Sequence, residues 1–182
     1  PATEGKLPAK GANGCYGDGY VYATIGNNTQ GFLRYSVEGN SWEPLQPVPL
    51  GASGKKVKGG TDLVYVDGYV YLLKGYKTDF FRYNVADAVW ESLPAAPAGA
   101  RPKWDKGSWL VWDGENTLYA RKAKYGEMWA FDLTTQQWGT SALPGMPTSS
   151  SKTGKNKKSK DGADGAYYNG YIYALKGGNT CE

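Results

Sequence analysis

The chain of 182 residues contains no histidine. This removes imidazole acids and bases, Ser-His-Asp arrangements and the His ligands of a copper oxidase centre. Only two cysteines are present, Cys15 and Cys181, too few to hold zinc alone. No apolar run reaches the roughly 18 residues of a membrane-spanning helix. The first residues, PATEGKLPAK, lack the apolar core of a signal peptide. Helix-type periodicity is nearly absent, and no Gly-rich phosphate loop precedes a helix. Net charge is +4, which favours acidic partners without calling for nucleic acid. We expect no catalytic residue, no metal, no cofactor and no membrane span.

What the chain does contain is repetition. Tyr22, Tyr71, Tyr119 and Tyr173 stand 49, 48 and 54 residues apart, and Trp42, Trp90 and Trp138 each stand 48 from the next. Tyr35, Tyr83 and Phe131 precede those tryptophans by seven residues. A fixed period with several short strands per unit marks a repeat architecture. The clearest unit is Tyr69–Pro97, in which alternating apolar runs are broken by tight turns. Asp18-Gly19, Asp67-Gly68 and Asn169-Gly170 fall at one place in their units and predict two-residue hairpins. Asp113-Gly114 repeats the signal in a turn two residues longer. The reading is all-β: one array over 1–182, with units about 5–50, 51–98, 99–147 and 148–182, each of four short antiparallel strands and the last incomplete. The Trp, Tyr and Phe columns are expected to pack between units, because units this short have little core of their own.

These residues resemble the kelch repeat. Lys176-Gly177-Gly178 matches its Gly doublet, Tyr83 with Trp90 its spaced aromatic pair, and Leu93-Pro94 its exit. The doublet is complete only there; Gly26 and Gly75 are single and Ala123 replaces it. The resemblance implies a β-propeller of four-stranded blades and, in most relatives, a binding role, though some are enzymes. Such propellers usually have six or seven blades, and this chain carries about three and a half. A piece of a longer protein, or one that assembles with other chains, is expected over closure as a small ring. Open blade edges invite pairing.

Cys15 and Cys181 are read as two independent thiols, as a disulfide joining the ends, or as a bridge between chains. Asn27-Asn28-Thr29 is a glycosylation sequon with Asn27 as acceptor. Together with family habit, these suggest an extracellular or cell-surface location.

Candidate binding residues come from two places. Basic linkers precede each inner strand, and Lys10, Lys58, Lys106 and Lys160 hold nearly constant phase. Around an axis they would ring one mouth and attract anions; a solvated linker is the plainer reading. The loops between second and third strands should open on the same face. They offer Asn27, Asn28, Thr29, Gln30, Tyr76, Lys77, Asp79, Lys124, Tyr125, Glu127 and Asn179 to a glycan or a protein. Asp79 and Glu127 occupy corresponding loops, the relation a glycosidase-type pair would need. Asn13, Asp62 and Asp164 stand nine residues before their column Tyr, as a channel-lining cation cluster or as hydrogen-bonded turns. The expected function is non-catalytic recognition of a glycan or protein by loops on one propeller face; the alternative is a building block that self-associates through its blade edges.

Overall fold

A computed structural model describes residues 4–150 and 152–180. It is all-β, with no helix among those residues and therefore none long and apolar enough to cross a membrane. Each repeat folds into one antiparallel meander. Blade 1 is β1 (Asn13–Gly17), β2 (Tyr20–Thr24), β3 (Phe32–Ser36) and β4 (Ser41–Pro44). Blade 2 is β5 (Asp62–Val66), β6 (Tyr69–Leu73), β7 (Phe80–Asn84) and β8 (Val89–Ser92). Blade 3 is β9 (Trp109–Trp112), β10 (Thr117–Arg121), β11 (Met128–Asp132) and the two-residue β12 (Gln137–Trp138). The fourth sheet is a hairpin, β13 (Asp164–Tyr168) and β14 (Tyr171–Leu175). This is a partial β-propeller.

The hairpins close where the sequence placed them. Asp18-Gly19, Asp67-Gly68 and Asn169-Gly170 all have positive φ at both residues, the geometry that matches the twist of the flanking strands. The inner strands lie side by side in chain order: β1 against β5, β5 against β9, β9 against β13.

No blade has a core of its own. In β6 alternate side chains point to opposite faces, as a period of two requires. Val70 and Leu72 join Tyr22, Phe32 and Tyr83 in a cluster between blades 1 and 2. Tyr71 and Leu73 join Leu110, Leu118 and Phe131 in a second cluster between blades 2 and 3. The aromatic columns make these joints. Phe32 of blade 1 packs on Trp90 and Tyr83 of blade 2, at 4.9 and 5.1 Å between ring centroids. Phe80 of blade 2 repeats this on Trp138 and Phe131, both at 5.0 Å. Each indole N–H also donates to the exit of the preceding blade, Trp90 to Gln46 O (2.9 Å) and Trp138 to Pro94 O (3.0 Å).

A column of buried lysines ties the linkers down. Lys74, Lys122 and Lys176 directly follow the second strands and are all buried. Lys74 Nζ donates to the carbonyls of Pro49 (3.1 Å), Leu50 (2.5 Å) and Lys55 (2.9 Å), and pairs with Asp79 at 2.9 Å. Lys122 Nζ donates to the carbonyls of Ala98 and Arg101 and lies 3.7 Å from Glu127. Lys176 Nζ donates to Ser149 O at 3.0 Å. Burial lowers the pKa of Lys74 and Lys122, and their carboxylate partners work against that shift.

Two consequences are measurable by urea unfolding. Trp90→Ala should lose roughly 2–3 kcal/mol, less than a fully buried aromatic because Trp90 is half-buried. Trp42→Ala, the same residue type at the uncovered end of the array, should cost about 0.5 kcal/mol or less. Similar losses for both would show that the tryptophans stabilise their own blades rather than the joints. Lys74→Met should cost roughly 3–5 kcal/mol by leaving Asp79 buried and unpaired, and Lys74→Met with Asp79→Asn should recover part of it.

Candidate functional site

The linkers that approach the inner strands run so close together that only glycine fits. Gly11, with φ of 91°, has the carbonyl of Lys58 where a Cβ would stand; Gly107, with φ of 86°, has that of Lys160. This close approach brings the lysines that precede these glycines to one mouth. Lys10, Lys58 and Lys106 line a cavity of about 240 Å³ together with Asn27, Asn28, Gly59 and Tyr76. Linker residues and loop residues therefore do share a face in blades 1 and 2.

The cavity is basic and has one aromatic wall. Lys58 Nζ lies 5.5 Å and Lys103 Nζ 4.2 Å from the centroid of the Tyr76 ring, so the ring is flanked by cations. Gly59 leaves room for the aliphatic stem of Lys106, whose Nζ is 3.3 Å from Asp161. Asn27 is fixed by its own amide, which donates to Leu7 O at 3.0 Å. Asn28 is exposed, and its backbone N–H donates to Val57 O at 3.0 Å. Both asparagines have positive φ. An anionic group entering here would meet ammonium groups, amide donors and a ring face.

The remaining candidates lie elsewhere. Lys160, the fourth lysine of the expected ring, is exposed on the fourth blade and does not line the cavity; its side chain covers Gly178. Thr29 is buried, its hydroxyl donating to Gly26 O at 2.8 Å, which places the sequon's hydroxyl inside the fold. Gln30 spans Glu4 and Val48 by hydrogen bonds of 2.8 and 2.9 Å. Lys124 pairs with Asp105 at 2.5 Å, and Tyr125 has Lys122 Nζ 5.6 Å from its centroid. Lys77 and Asn179 are exposed on their loops outside the cavity lining.

Asp79 and Glu127 each serve a lysine clamp, with Lys74 and Lys122. Asp79 also accepts from the Ser53 hydroxyl and, at 3.2 Å, from the Ser53 N–H. Burial alone would raise its pKa; Ser53 and Lys74 outweigh burial and hold it below the usual carboxylate range. Glu127 accepts from Ala100 N–H at 2.8 Å. Cys15 is half-buried in β1 and carries no bridge to a described residue. Burial, with a smaller contribution from the Asp62 charge, pushes its thiol up to about 12. Cys181, the other half of the expected bridge, lies outside the described residues.

Asn13, Asp62 and Asp164 do converge, in the space enclosed by the inner strands, a cavity of about 310 Å³. Asp62 is the centre of the group. It accepts from the Asn13 amide of blade 1, from Leu63 N–H (2.9 Å) and from Leu110 N–H of blade 3 (2.6 Å). One buried carboxylate thus ties three inner strands, by bonds that run between strands rather than within the turns expected from the sequence. Burial pushes its pKa up to about 7; the Leu110 and Leu63 donors oppose this, and the Asp164 charge adds to it.

Two groups escaped the sequence reading. The buried lysines at 74, 122 and 176 keep the repeat spacing, and that spacing was the available signal. The glycines at 11 and 107 also recur before inner strands.

The sequence matches no family model and no curated protein. Among solved structures, one described as "Structure of YjhT" superposes with a TM-score of 0.61 at 18% identity, over 82% of this chain and 54% of that one. This chain thus spans about half the length of that protein. At this identity the likeness shows the fold alone, a set of propeller blades.

The Asp62 lock has a pH signature. An unfolded aspartate titrates near 3.8 and the folded Asp62 near 7, so between these values the folded state holds a proton that the unfolded state has lost. The stability contributed by this group is complete below about pH 4 and is lost as pH rises towards 7. Asp62→Asn removes this dependence. The stability advantage of the native chain over Asp62→Asn, measured by urea unfolding, should shrink from pH 4.5 to pH 7.5; an advantage that is flat or grows would contradict the assignment.

Proposed function

We propose that this chain is a non-catalytic binding module built from kelch-like propeller blades, which takes an anionic group of a protein or glycan at the linker and loop face. The supporting observation is the convergence of Lys10, Lys58 and Lys106 with Asn27, Asn28 and Tyr76 in one cavity. Ammonium groups at a concave mouth repel one another, and a bound anion relieves that repulsion. Amide donors and a ring face add orientation, the division of labour seen in sites that recognise small polar groups. The lack of histidine, and the use of Asp79 and Glu127 as structural counter-ions, argue for binding over catalysis. The kelch-like repeats favour a secreted or cell-surface protein, and they carry that placement better than a sequon whose threonine is buried.

A second reading, a structural unit that joins copies of itself, is favoured by uncovered aromatic residues at both ends of the array.

Sulfate titration at low ionic strength tests the first reading. The melting temperature of the native chain should rise by a few degrees at saturating sulfate, as expected when a ligand binds only the folded state. Lys58→Gln with Lys106→Gln should raise the melting temperature without sulfate and abolish most of the sulfate response. Added sodium chloride should weaken the native response by screening. Equal responses of both chains would refute the site.

A further inference from the structure

The two joints inside the array are not filled alike. At the first, Tyr65 of β5 reaches across to blade 1 and stacks on Tyr22, with ring centroids 5.9 Å apart and planes at 9°. Its hydroxyl donates to the Asp18 carboxylate and accepts from Gly68 N–H at 3.0 Å. Gly17 makes the room, since a Cβ there would collide with the Tyr65 ring. The phenol is thus held between the hairpin turns of two neighbouring blades.

At the second joint the same place is built differently. Trp112 of β9 faces Leu118 as Tyr65 faces Val70, so it is the counterpart of Tyr65. Its indole N–H stays at home and donates to Glu115 O in its own longer turn, at 3.0 Å. Val66 stands at the register of Gly17 and forms the inner wall. A cavity of about 250 Å³ remains between the blades, bordered by Asp67, Tyr69, Tyr71, Glu115, Asn116 and Leu133. Asp67 is the counterpart of Asp18, yet among the described residues its carboxylate accepts no hydrogen bond and pairs with no cation. Asn116 is the counterpart of Gly68: Leu133 N–H donates to its carbonyl at 2.9 Å, as Val85 N–H does to that of Gly68 at 3.0 Å.

We infer that this cavity is a second binding site, which takes a tyrosine side chain presented by a partner protein. The ring lies against Tyr69, Tyr71 and Leu133, and its O–H donates to Asp67 as Tyr65 donates to Asp18. The first joint is the template, because there the chain seats a phenol of its own on the same tyrosine column beside the same turn. Asp67 and Glu115 are acceptors only, so the occupant has to bring a proton donor. Phenylalanine brings none, and an anionic group meets repulsion from both carboxylates. Lysine or arginine beside the partner's tyrosine gains from the same two charges. The site lies at the hairpin-turn end of the blades, whereas the lysine cavity lies at the linker end, so it does not depend on the anion reading above.

Titrating the isotope-labelled chain with a capped Lys-Tyr-Lys peptide, followed by NMR, tests this. The amides of Asp67, Glu115 and Asn116 should shift along a saturable isotherm. Capped Lys-Phe-Lys should bind roughly tenfold more weakly, the loss expected for a hydrogen bond to a charged acceptor. Asp67→Asn should narrow the gap between the two peptides. The turn tolerates that change, since Asn169 holds the same place in the fourth sheet, also with positive φ. Lys58→Gln with Lys106→Gln should leave peptide affinity unchanged, which separates this site from the lysine cavity. No shift at the three amides with several millimolar peptide overturns the inference, as does equal affinity for the two peptides. A methyl glucoside that shifts the same amides at lower concentration than the peptide also overturns it, in favour of a sugar site.

Discussion

A blade of this protein cannot bury its own side chains. Each sheet is one layer thick and apolar on both faces, so each face must be covered by a neighbouring sheet. In β6 this divides a single strand between two clusters, Val70 and Leu72 on one side, Tyr71 and Leu73 on the other. The joint is therefore the unit of stability, as in other repeat proteins where nearest-neighbour contacts carry the fold. Aromatic residues suit the task because each brings a large area and, in tryptophan, one N–H that can reach back to the previous blade.

The joints position everything else. Two blades held at a fixed angle leave their linkers little room, and Gly11 and Gly107 let those linkers touch. The lysine heads that precede them then share a mouth. Lysine has two opposite uses within a few residues here. Lys74 and Lys122 lie buried under linker carbonyls and a carboxylate, where lost hydration is replaced by fixed acceptors. Lys10, Lys58 and Lys106 line the open cavity; Lys106 also pairs with Asp161, and for the other two hydration or an incoming anion supplies the acceptors. The first use fastens the linkers; the second is open to a ligand because the first holds the walls still.

Much of this could be read from the sequence. The spacing of Tyr22, Tyr71 and Tyr119 and the Asp-Gly turns gave the blades, since both are local signals with a physical cause. The phase of Lys10, Lys58 and Lys106 placed them together because repeats that share an angle share a surface. Other features could not be read, since they depend on neighbours rather than on phase. Asp79 and Glu127 have the composition of open loop carboxylates; a lysine stands five residues before each, at 74 and 122, but the burial that makes each pair a clamp comes from the linkers packed over it. Trp42 and Trp90 stand in one column, yet one is half uncovered and the other bridges a joint, because only the second has a blade before it. Lys160 keeps its phase but sits beyond a six-residue insertion, on a blade whose neighbours differ.

The claim that stability resides in the joints is tested most directly by native-state hydrogen exchange on dilute protein, resolved to individual strands. If the account is right, amides of β6 and β10, whose sheets are covered on both faces, exchange slowest and through a common opening. Amides of β14, whose hairpin has one face open, exchange far sooner despite the same hairpin turn and a near-identical sequence pattern. Equal protection of β14 and β6 in the monomer would contradict it, because it would mean that a blade stands without its neighbour.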